Sequence, residues 1–428
     1  MILIKNAKIV KKENRTAIVD ILIEGGKIKE ISRGIDENLV KKVYDAKEKL
    51  TLPGGIDVHV HLREPGFKEK ETILTGTRAA LRGGYTTMMP MPNLKPNPDS
   101  VEVIDRYMEM IDESALVNVF PYACITEKSL GRTLVDMKSI NEQFGISAFT
   151  DDGVGIQSGE MMRSAMKLAK ENNSIIAAHT EDMSYRKPNS SVHEGENAKK
   201  NGWIGIPSET EYKQVERDLQ LALETGAKYH ICHISAKQSV DALRKYKELG
   251  ADVSGEVTTH HLLLTEDDVV NTDYKMNPPL RTKEDREALI EGLLDGTIDF
   301  IANDHAPHTK EEKNREMGKA PFGIVGLETS IPLIYTNFVK KKIMSLEQFQ
   351  DFISTRPAER FNFKNKGKIE VGYDADIIIL SDKDVIIDRD DFLSKGKNTP
   401  FDDYVCQGFP EYTFVNGICM NERGRINE

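Results

Sequence analysis

Two kinds of hydrophobic pattern run along the chain. At its start, apolar and polar positions alternate with a period of two over Ile2 to Val10, Ala17 to Ile23 and Lys27 to Ile31. A period of two lays one side of a strand on a core. Gly25-Gly26 separates the last two stretches as a hairpin turn. The end of the chain reads the same way over Gly367 to Val371, Ala375 to Leu380 and Tyr412 to Gly417. Both ends therefore predict a small antiparallel sheet.

The long middle reads differently. Short apolar stretches occur at Gly55–His61, Thr86–Met91, Leu116–Tyr122, Ile146–Thr150, Ile175–His179, Tyr229–His233, Val253–Thr259 and Ile298–Ala302. Amphipathic helical stretches follow most of them, such as Lys70–Leu81 and Ser158–Glu171. Eight strand-then-helix units over roughly 250 residues have the count and size of a (β/α)8 TIM barrel, so the fold class is α/β.

Composition narrows the class. The 428 residues are 39% hydrophobic and 30% charged, which is globular. No apolar run reaches 18 residues, and the N-terminus lacks the pattern of a signal peptide. Cys124, Cys232, Cys406 and Cys419 are scattered, so neither a disulfide framework nor a thiolate zinc site is expected. These features place the protein in the cytoplasm. A formal charge of −11 argues against nucleic acid or an anionic membrane as partner. A small anionic substrate would need local positive charge from a metal, an Arg or a His.

Polar residues gather where the strands end, and in barrels of this type that rim carries the active site. His59 and His61 alternate on the first strand and face one side. Asn93 follows the second strand, Asp151-Asp152 the fourth and Asp304 the eighth; His179 ends the fifth and His233 the sixth. One H-x-H pair is weak evidence by itself, and a single strand-end histidine is more often a packed one. Four histidines at three strand ends, with acids after two others, are hard to explain as packing. Imidazole and carboxylate are the usual ligands of catalytic zinc. Two ions flanking a hydroxide make a nucleophile at neutral pH, and a nearby carboxylate, here Asp304, then shuttles the proton. His230, three residues before His233, is read as facing the outer helices in a structural role. His193 is read as lying in a polar loop. For His260-His261, which follow the seventh strand, a packing or supporting role and a catalytic one are equally open. The charged segment 309–319 reads as a solvated loop, with a mobile lid as the alternative.

Several motifs together resemble one family. Pro53-Gly54-Gly55-Ile56-Asp57-Val58-His59-Val60-His61-Leu62-Arg63-Glu64-Pro65-Gly66 is similar to the first metal-binding signature of dihydroorotases, and Asn303-Asp304-His305-Ala306-Pro307-His308 to their second. Met91-Pro92-Asn93, Phe149-Thr150-Asp151-Asp152-Gly153, Lys275-Met276-Asn277-Pro278-Pro279-Leu280-Arg281 and Ala320-Pro321-Phe322-Gly323 with Gly326-Leu327-Glu328 continue the likeness in order along the chain.

The resemblance implies an amidohydrolase barrel, residues 53–365, joined to a small β-sandwich domain from both chain ends, residues 1–52 and 366–428. It implies reversible interconversion of N-carbamoyl-L-aspartate and L-dihydroorotate in de novo pyrimidine synthesis. It implies two zinc ions, with His59, His61 and Asp304 at one and His179 and His233 at the other. Asp152 would bridge them, Asp151 being the runner-up, in place of the carbamylated lysine of many relatives. Asp304 would be the general acid and base for zinc-activated hydroxide. Arg63, Asn93 and His308 would hold the substrate α-carboxylate, with His61, Asn277 and the Phe322-Gly323 backbone also at the substrate. His308 would add to the local positive field. A homodimer or a complex with aspartate transcarbamoylase is implied as the assembly. The rivals are a hydantoinase, dihydropyrimidinase or allantoinase, which generally use the carbamylated lysine, and a relative that has lost its ligands and serves as a structural partner.

Overall fold

All eight strand stretches of the middle form strands. In the computed structural model, which describes residues 1–427 with the side chain of Leu39 aside, they are β1 (Gly55–Val60), β2 (Tyr85–Pro90), β3 (Asn118–Val119), β4 (Ala148–Phe149), β5 (Ile175–Ala178), β6 (Lys228–Ile231), β7 (Val253–Thr258) and β8 (Phe300–Ala302). Neighbours pair in parallel from β1 to β3 and from β4 to β8. Parallel bridges at Ala123–Phe149 and Val60–His305 close the ring. The strands β3 and β4 are shorter than their apolar stretches, although Phe120 and Tyr122 still donate to the carbonyls of Met88 and Pro90. Pro121, between those two, has no N–H to give.

Period-two alternation divides the core into two layers. On β5, Ile175 and Ala177 pack inside the barrel with Phe300 and Cys232. Ile176 and Ala178 pack outward beneath the helices with Ile231, Val257 and Ile301. The covering helices carry their own stop and start signals. Helix α1 (Ile73–Gly83) begins at Thr72, whose hydroxyl accepts from Thr75 N, and ends at Gly84 in the left-handed region, φ 89°. It starts three residues later than the amphipathic stretch because the cap sits at Thr72. Helix α2 (Gly159–Glu171) is capped by Ser158 and buries Met162, Ala165, Met166 and Ala169, one stripe at helical spacing.

The two chain ends build one nine-stranded sheet. The strand Leu50–Pro53 lies at its joint. It runs parallel to Ile2–Lys11 on one side and antiparallel to Ile377–Leu380 on the other. The sheet folds over its own apolar residues, so that Tyr44 meets Phe414 edge-on at 5.0 Å and Tyr412 at 5.6 Å. The hairpin turn at Gly25-Gly26 forms with φ of 59° and 79°, a pair of positive values that suits glycine. Gly367 to Val371 is not a strand. Gly367 has φ 80°, and its carbonyl accepts from Thr355 Oγ1, so the chain turns there instead of pairing. The four cysteines are buried and unbonded to one another, and among the described residues no helix is long and apolar enough to cross a membrane.

Between barrel and helices lies one buried acid that tests the packing. Asp218, on α3 (Glu209–Thr225), accepts from Tyr229 Oη at 2.9 Å and Arg217 Nε at 2.8 Å. Burial pushes its carboxyl up to about 6. The folded state therefore holds the proton more tightly than the unfolded chain, and this group's contribution to stability falls as pH rises from about 4 to 6. Relative to the parent, Asp218→Asn should gain stability across that window and keep the gain above it. Urea midpoints at pH 4.5, 5.5 and 7 measure this; a difference that does not change with pH contradicts it.

Candidate active site at the barrel rim

The rim collects the polar strand ends into one buried cluster. β1 supplies His59 and delivers His61 just beyond its end, while His179, His233, Asp152 and Asp304 follow β5, β6, β4 and β8. Three residues here sit in the left-handed region: His233 at φ 34°, Asp304 at 47° and Arg63 at 60°. Such backbone costs on the order of 1–3 kcal/mol per residue and is held only where the surroundings impose it. It turns the chain abruptly out of each strand and aims the side chain at the barrel axis.

Asp152 is the centre of the cluster. Its Oδ1 lies 3.6 Å from His59 Nε2 and 3.8 Å from both His179 Nδ1 and His233 Nε2, while Oδ2 lies 3.7 Å from His61 Nε2. Asp304 Oδ1 is 2.9 Å from His61 Nε2 and 3.6 Å from His59 Nε2. Most of these separations are too long for hydrogen bonds. Accordingly His59 Nε2 and Asp152 Oδ1 are buried with no hydrogen-bond partner. Two ligands 2.0–2.1 Å from one tetrahedral zinc ion lie roughly 3.3 Å apart, which is near this spacing. The donors within reach of one another fall into groups such as His59, Asp152, His233 and His59, His61, Asp304. The cluster fits a divalent cation.

Asp151 is turned away. Its carboxylate accepts from the backbone N–H groups of Ile125 and Thr126 at 2.9 and 3.2 Å and from the Thr126 hydroxyl. Burial pushes the imidazolium pKa of His61 and His233 well below the usual value, aided by Arg63 and His179 respectively, so both rings are neutral donors. At His59 burial acts the same way, but the charges of Glu256 and Asp152 prevail and raise it.

A cavity of about 200 Å³ opens beside the cluster. Arg63, Asn93, Asn277, Phe322 and Gly323 line it, as does Arg186. Asn93 Nδ2 donates to the Asp152 carbonyl at 2.7 Å. His308 does not line this cavity. Its Nε2 donates to Phe322 O at 2.8 Å, and its Nδ1 lies 3.4 Å from Lys70 Nζ, so it stands behind the wall. Burial, with Arg63, Lys70 and Lys313 nearby, brings its pKa down to about 3. The positive field expected from His308 is therefore absent; Arg63 carries it.

Known proteins resemble this chain over nearly its whole length. A dihydro-orotase-like family model matches residues 48–239. A dihydroorotase of Halalkalibacterium halodurans is 51% identical over 427 residues, 99% of each chain, and one of Staphylococcus aureus is 50% identical over 97% of this chain and 98% of its own. The chain belongs to the dihydroorotase family. Solved structures extend the likeness to the wider barrel fold. An L-hydantoinase (dihydropyrimidinase) of Arthrobacter aurescens superposes with a TM-score of 0.89 at 26% identity, over 100% of this chain and 97% of that one. A D-hydantoinase (dihydropyrimidinase) of a Thermus species gives 0.86 at 26%, over 100% and 96%. Membership makes this chain a cyclic amidohydrolase.

Within this family member, two expectations from sequence are corrected, those for His230 and His193, and the alternatives left open for His261 narrow to one. His230 faces the barrel interior: its ring stacks on Phe300 at 5.2 Å and its Nε2 meets Glu256 Oε2 at 3.0 Å. Counting three residues back from His233 misleads, because β6 ends at Ile231 and His233 lies past the strand in a left-handed turn. His193 is buried on the short strand Val192–His193, with Nδ1 3.3 Å from Arg281 Nη1. His261 spends both nitrogens on Thr258 Oγ1 and Pro278 O, which makes it a packing residue. The sequence reading missed four polar residues. Glu181 lies 3.3 Å from His179 Nε2 and accepts from Asn277 Nδ2 at 3.1 Å and from Arg186. Arg186 and Lys275 flank the Phe322 ring at 4.9 and 4.4 Å. Glu256 touches His59. Its signal was present, a carboxylate inside an otherwise uncharged strand.

Segment 309–319 is tied down at its middle. Thr309 caps the short helix Lys310–Lys313, and buried Lys313 donates to the carbonyls of Gly323 at 2.9 Å, Pro321 at 3.2 Å and Lys275 at 3.3 Å. Lys275 in turn donates to Met317 and Ala320. Burial brings the two ammonium groups down to about 7 and about 8. Together they hold the Phe322-Gly323 wall from behind. Lys313→Met, which keeps the stem but strands the carbonyls, should lower the unfolding free energy by about 1–3 kcal/mol. Chemical denaturation at pH 6 measures it, and an unchanged midpoint contradicts the clasp.

Proposed function

We propose that this chain interconverts N-carbamoyl-L-aspartate and L-dihydroorotate reversibly for pyrimidine synthesis, with two zinc ions held by the rim cluster. The observation that carries the reading is Asp152, whose two oxygens face different histidines across one buried centre. Oδ2 faces His61, Oδ1 faces His179 and His233, and His59 lies nearest Oδ1. This supports Asp152 as the bridge over Asp151, whose oxygens are spent on backbone N–H groups and a hydroxyl. His59, His61 and Asp304 would hold one ion, His179 and His233 the other. When bound, zinc polarises the scissile carbonyl and makes a water molecule acidic enough to attack at neutral pH.

The chain's own residues do the rest. In the hydrolytic direction Asp304 takes the proton from the attacking water. It delivers that proton to the ring nitrogen as the C–N bond breaks. In the biosynthetic direction Asp304 removes a proton from the carbamoyl nitrogen as that nitrogen attacks the side-chain carboxylate, and passes the proton to the departing oxygen, which takes a second proton from solvent and leaves as water. Arg63 and Asn93 hold the substrate α-carboxylate, with Arg63 offering a planar fork that matches it. His61, Asn277 and the Phe322-Gly323 backbone close around the ring. His308 supports that wall through Phe322 O.

The cytoplasmic setting belongs to this proposal. So does assembly as a homodimer or with aspartate transcarbamoylase. The division into a barrel unit, 53–365, and a terminal unit, 1–52 with 366–428, belongs to it as well; Glu428 lies outside the described residues. A hydantoinase reading is favoured by the structural likeness alone. Against it stand Arg63 in the cavity and the lack of any lysine among the described residues that line it.

Metal content and turnover on one purified sample test the reading. About two zinc ions per chain with dihydroorotate turned over, and dihydrouracil and hydantoin left alone, is the expected result. Turnover confined to the uncharged rings overturns it. Asp304→Asn should lower kcat by about 10²–10⁴-fold with the circular dichroism spectrum kept; near-parental kcat removes the role given to Asp304. Arg63→Met should raise KM for dihydroorotate by roughly 10–100-fold, the loss of a charge-assisted pair. Steady-state kinetics that show KM unchanged place the carboxylate elsewhere.

A further inference from the structure

Behind the metal cluster, away from the cavity, a second polar chain runs through the barrel interior. Glu256 stands on β7 and is fully buried. Its Oε1 lies 2.6 Å from His59 Nδ1 and accepts the backbone N–H of His233 at 3.2 Å. Its Oε2 lies 3.0 Å from His230 Nε2, and His230 Nδ1 reaches Ser254 Oγ at 2.8 Å. The His230 ring is itself fixed, stacked on Phe300 at 5.2 Å and against Phe361 at 5.5 Å. One carboxylate therefore touches two of the four candidate ligand histidines, and a packed histidine holds it from below.

We infer that Glu256, oriented by His230, is a positioning residue that sets the affinity of the cluster for its divalent cation. The inference rests on the metal-centre reading above and adds to it. A carboxylate at 2.6 Å holds a proton on His59 Nδ1, so Nε2, which faces Asp152 and Asp304, is the nitrogen that would give up its proton to a cation. The same oxygen pins the peptide N–H at the start of the left-handed His233 turn, so the second imidazole is aimed by the same group. Glu256 is not itself a ligand. His59 Nδ1 and Oε1 are too close for an ion to sit between them, since two ligands of one zinc ion stand roughly 3.3 Å apart. The nearby grouping of His59, Cys232 and Glu256 is thus a hydrogen-bonded set and not a third metal site.

Zinc affinity tests this directly, by competition against a chromophoric chelator on the full chain stripped and reloaded. Glu256→Ala should weaken zinc binding by about 10–100-fold. Glu256→Gln, which keeps an acceptor for Nδ1–H without the charge, should weaken it less. The visible bands of the cobalt(II)-loaded enzyme should shift in both variants. The melting temperature of the metal-free variants reports packing separately. If Glu256→Ala does not fold, the Glu256→Gln affinity and cobalt spectrum decide. Zinc affinity within about twofold of the parent and unchanged cobalt bands, with only the metal-free melting temperature lowered, overturn the inference and leave the metal reading standing. A parent chain that binds no zinc overturns both.

Discussion

A carboxylate oxygen with no proton to meet, buried among imidazoles, is the constraint on which this molecule turns. Asp152 Oδ1 and His59 Nε2 face each other at 3.6 Å, both sealed from water and neither hydrogen-bonded. Leaving such groups unpaired in a protein interior costs on the order of 1–3 kcal/mol each. A divalent cation bound among them would remove that cost. Everything around the cluster serves the same end. The strands converge at their C-terminal ends, the left-handed turns at His233 and Asp304 bring their side chains into the cluster, and Glu256 and Glu181 back His59 and His179 on the ring nitrogens turned away from Asp152.

The barrel and its rim were legible because they repeat. Eight apolar stretches, most of them followed by a helical one, leave little freedom of interpretation, and most run into a residue whose chemistry differs from the strand that carries it. Motifs read in order along the chain then placed it in its family before any geometry was known. What stayed hidden depends on distance between segments. Nothing near His308 in sequence says that Phe322 O and Lys70 would claim both its nitrogens. Nothing near His230 says that β6 stops at Ile231, so strand parity pointed it the wrong way. Glu256 and Glu181 were passed over because a lone acid among so many is unremarkable until an imidazole is found at its side. The turn at Gly367 was read as strand for a related reason: a local pattern does not reveal that the carbonyl is already taken by Thr355.

The Phe322-Gly323 wall of the cavity shows another economy. Two lysines, normally surface residues, are drawn inside and spend their protons on main-chain carbonyls of the 317–323 segment. A loop has no ladder of its own to satisfy such carbonyls. Lysine supplies three donors from one point, which suits a loop that must present Phe322 and Gly323 at a fixed height above the cluster. The charged stretch that follows Asp304 is thus part of the site's scaffold through Lys313.

The strand Leu50–Pro53 links the remotest parts of the chain and runs directly into β1, which carries His59. Its neighbour on one side is made among the first residues, and its neighbour on the other, Ile377–Leu380, only after the whole barrel. On the ribosome this strand keeps one edge bare until Ile377 has emerged. The terminal sheet is thus born with an open seam next to the strand that carries His59 and His61, and only a segment synthesised after the barrel sews it shut.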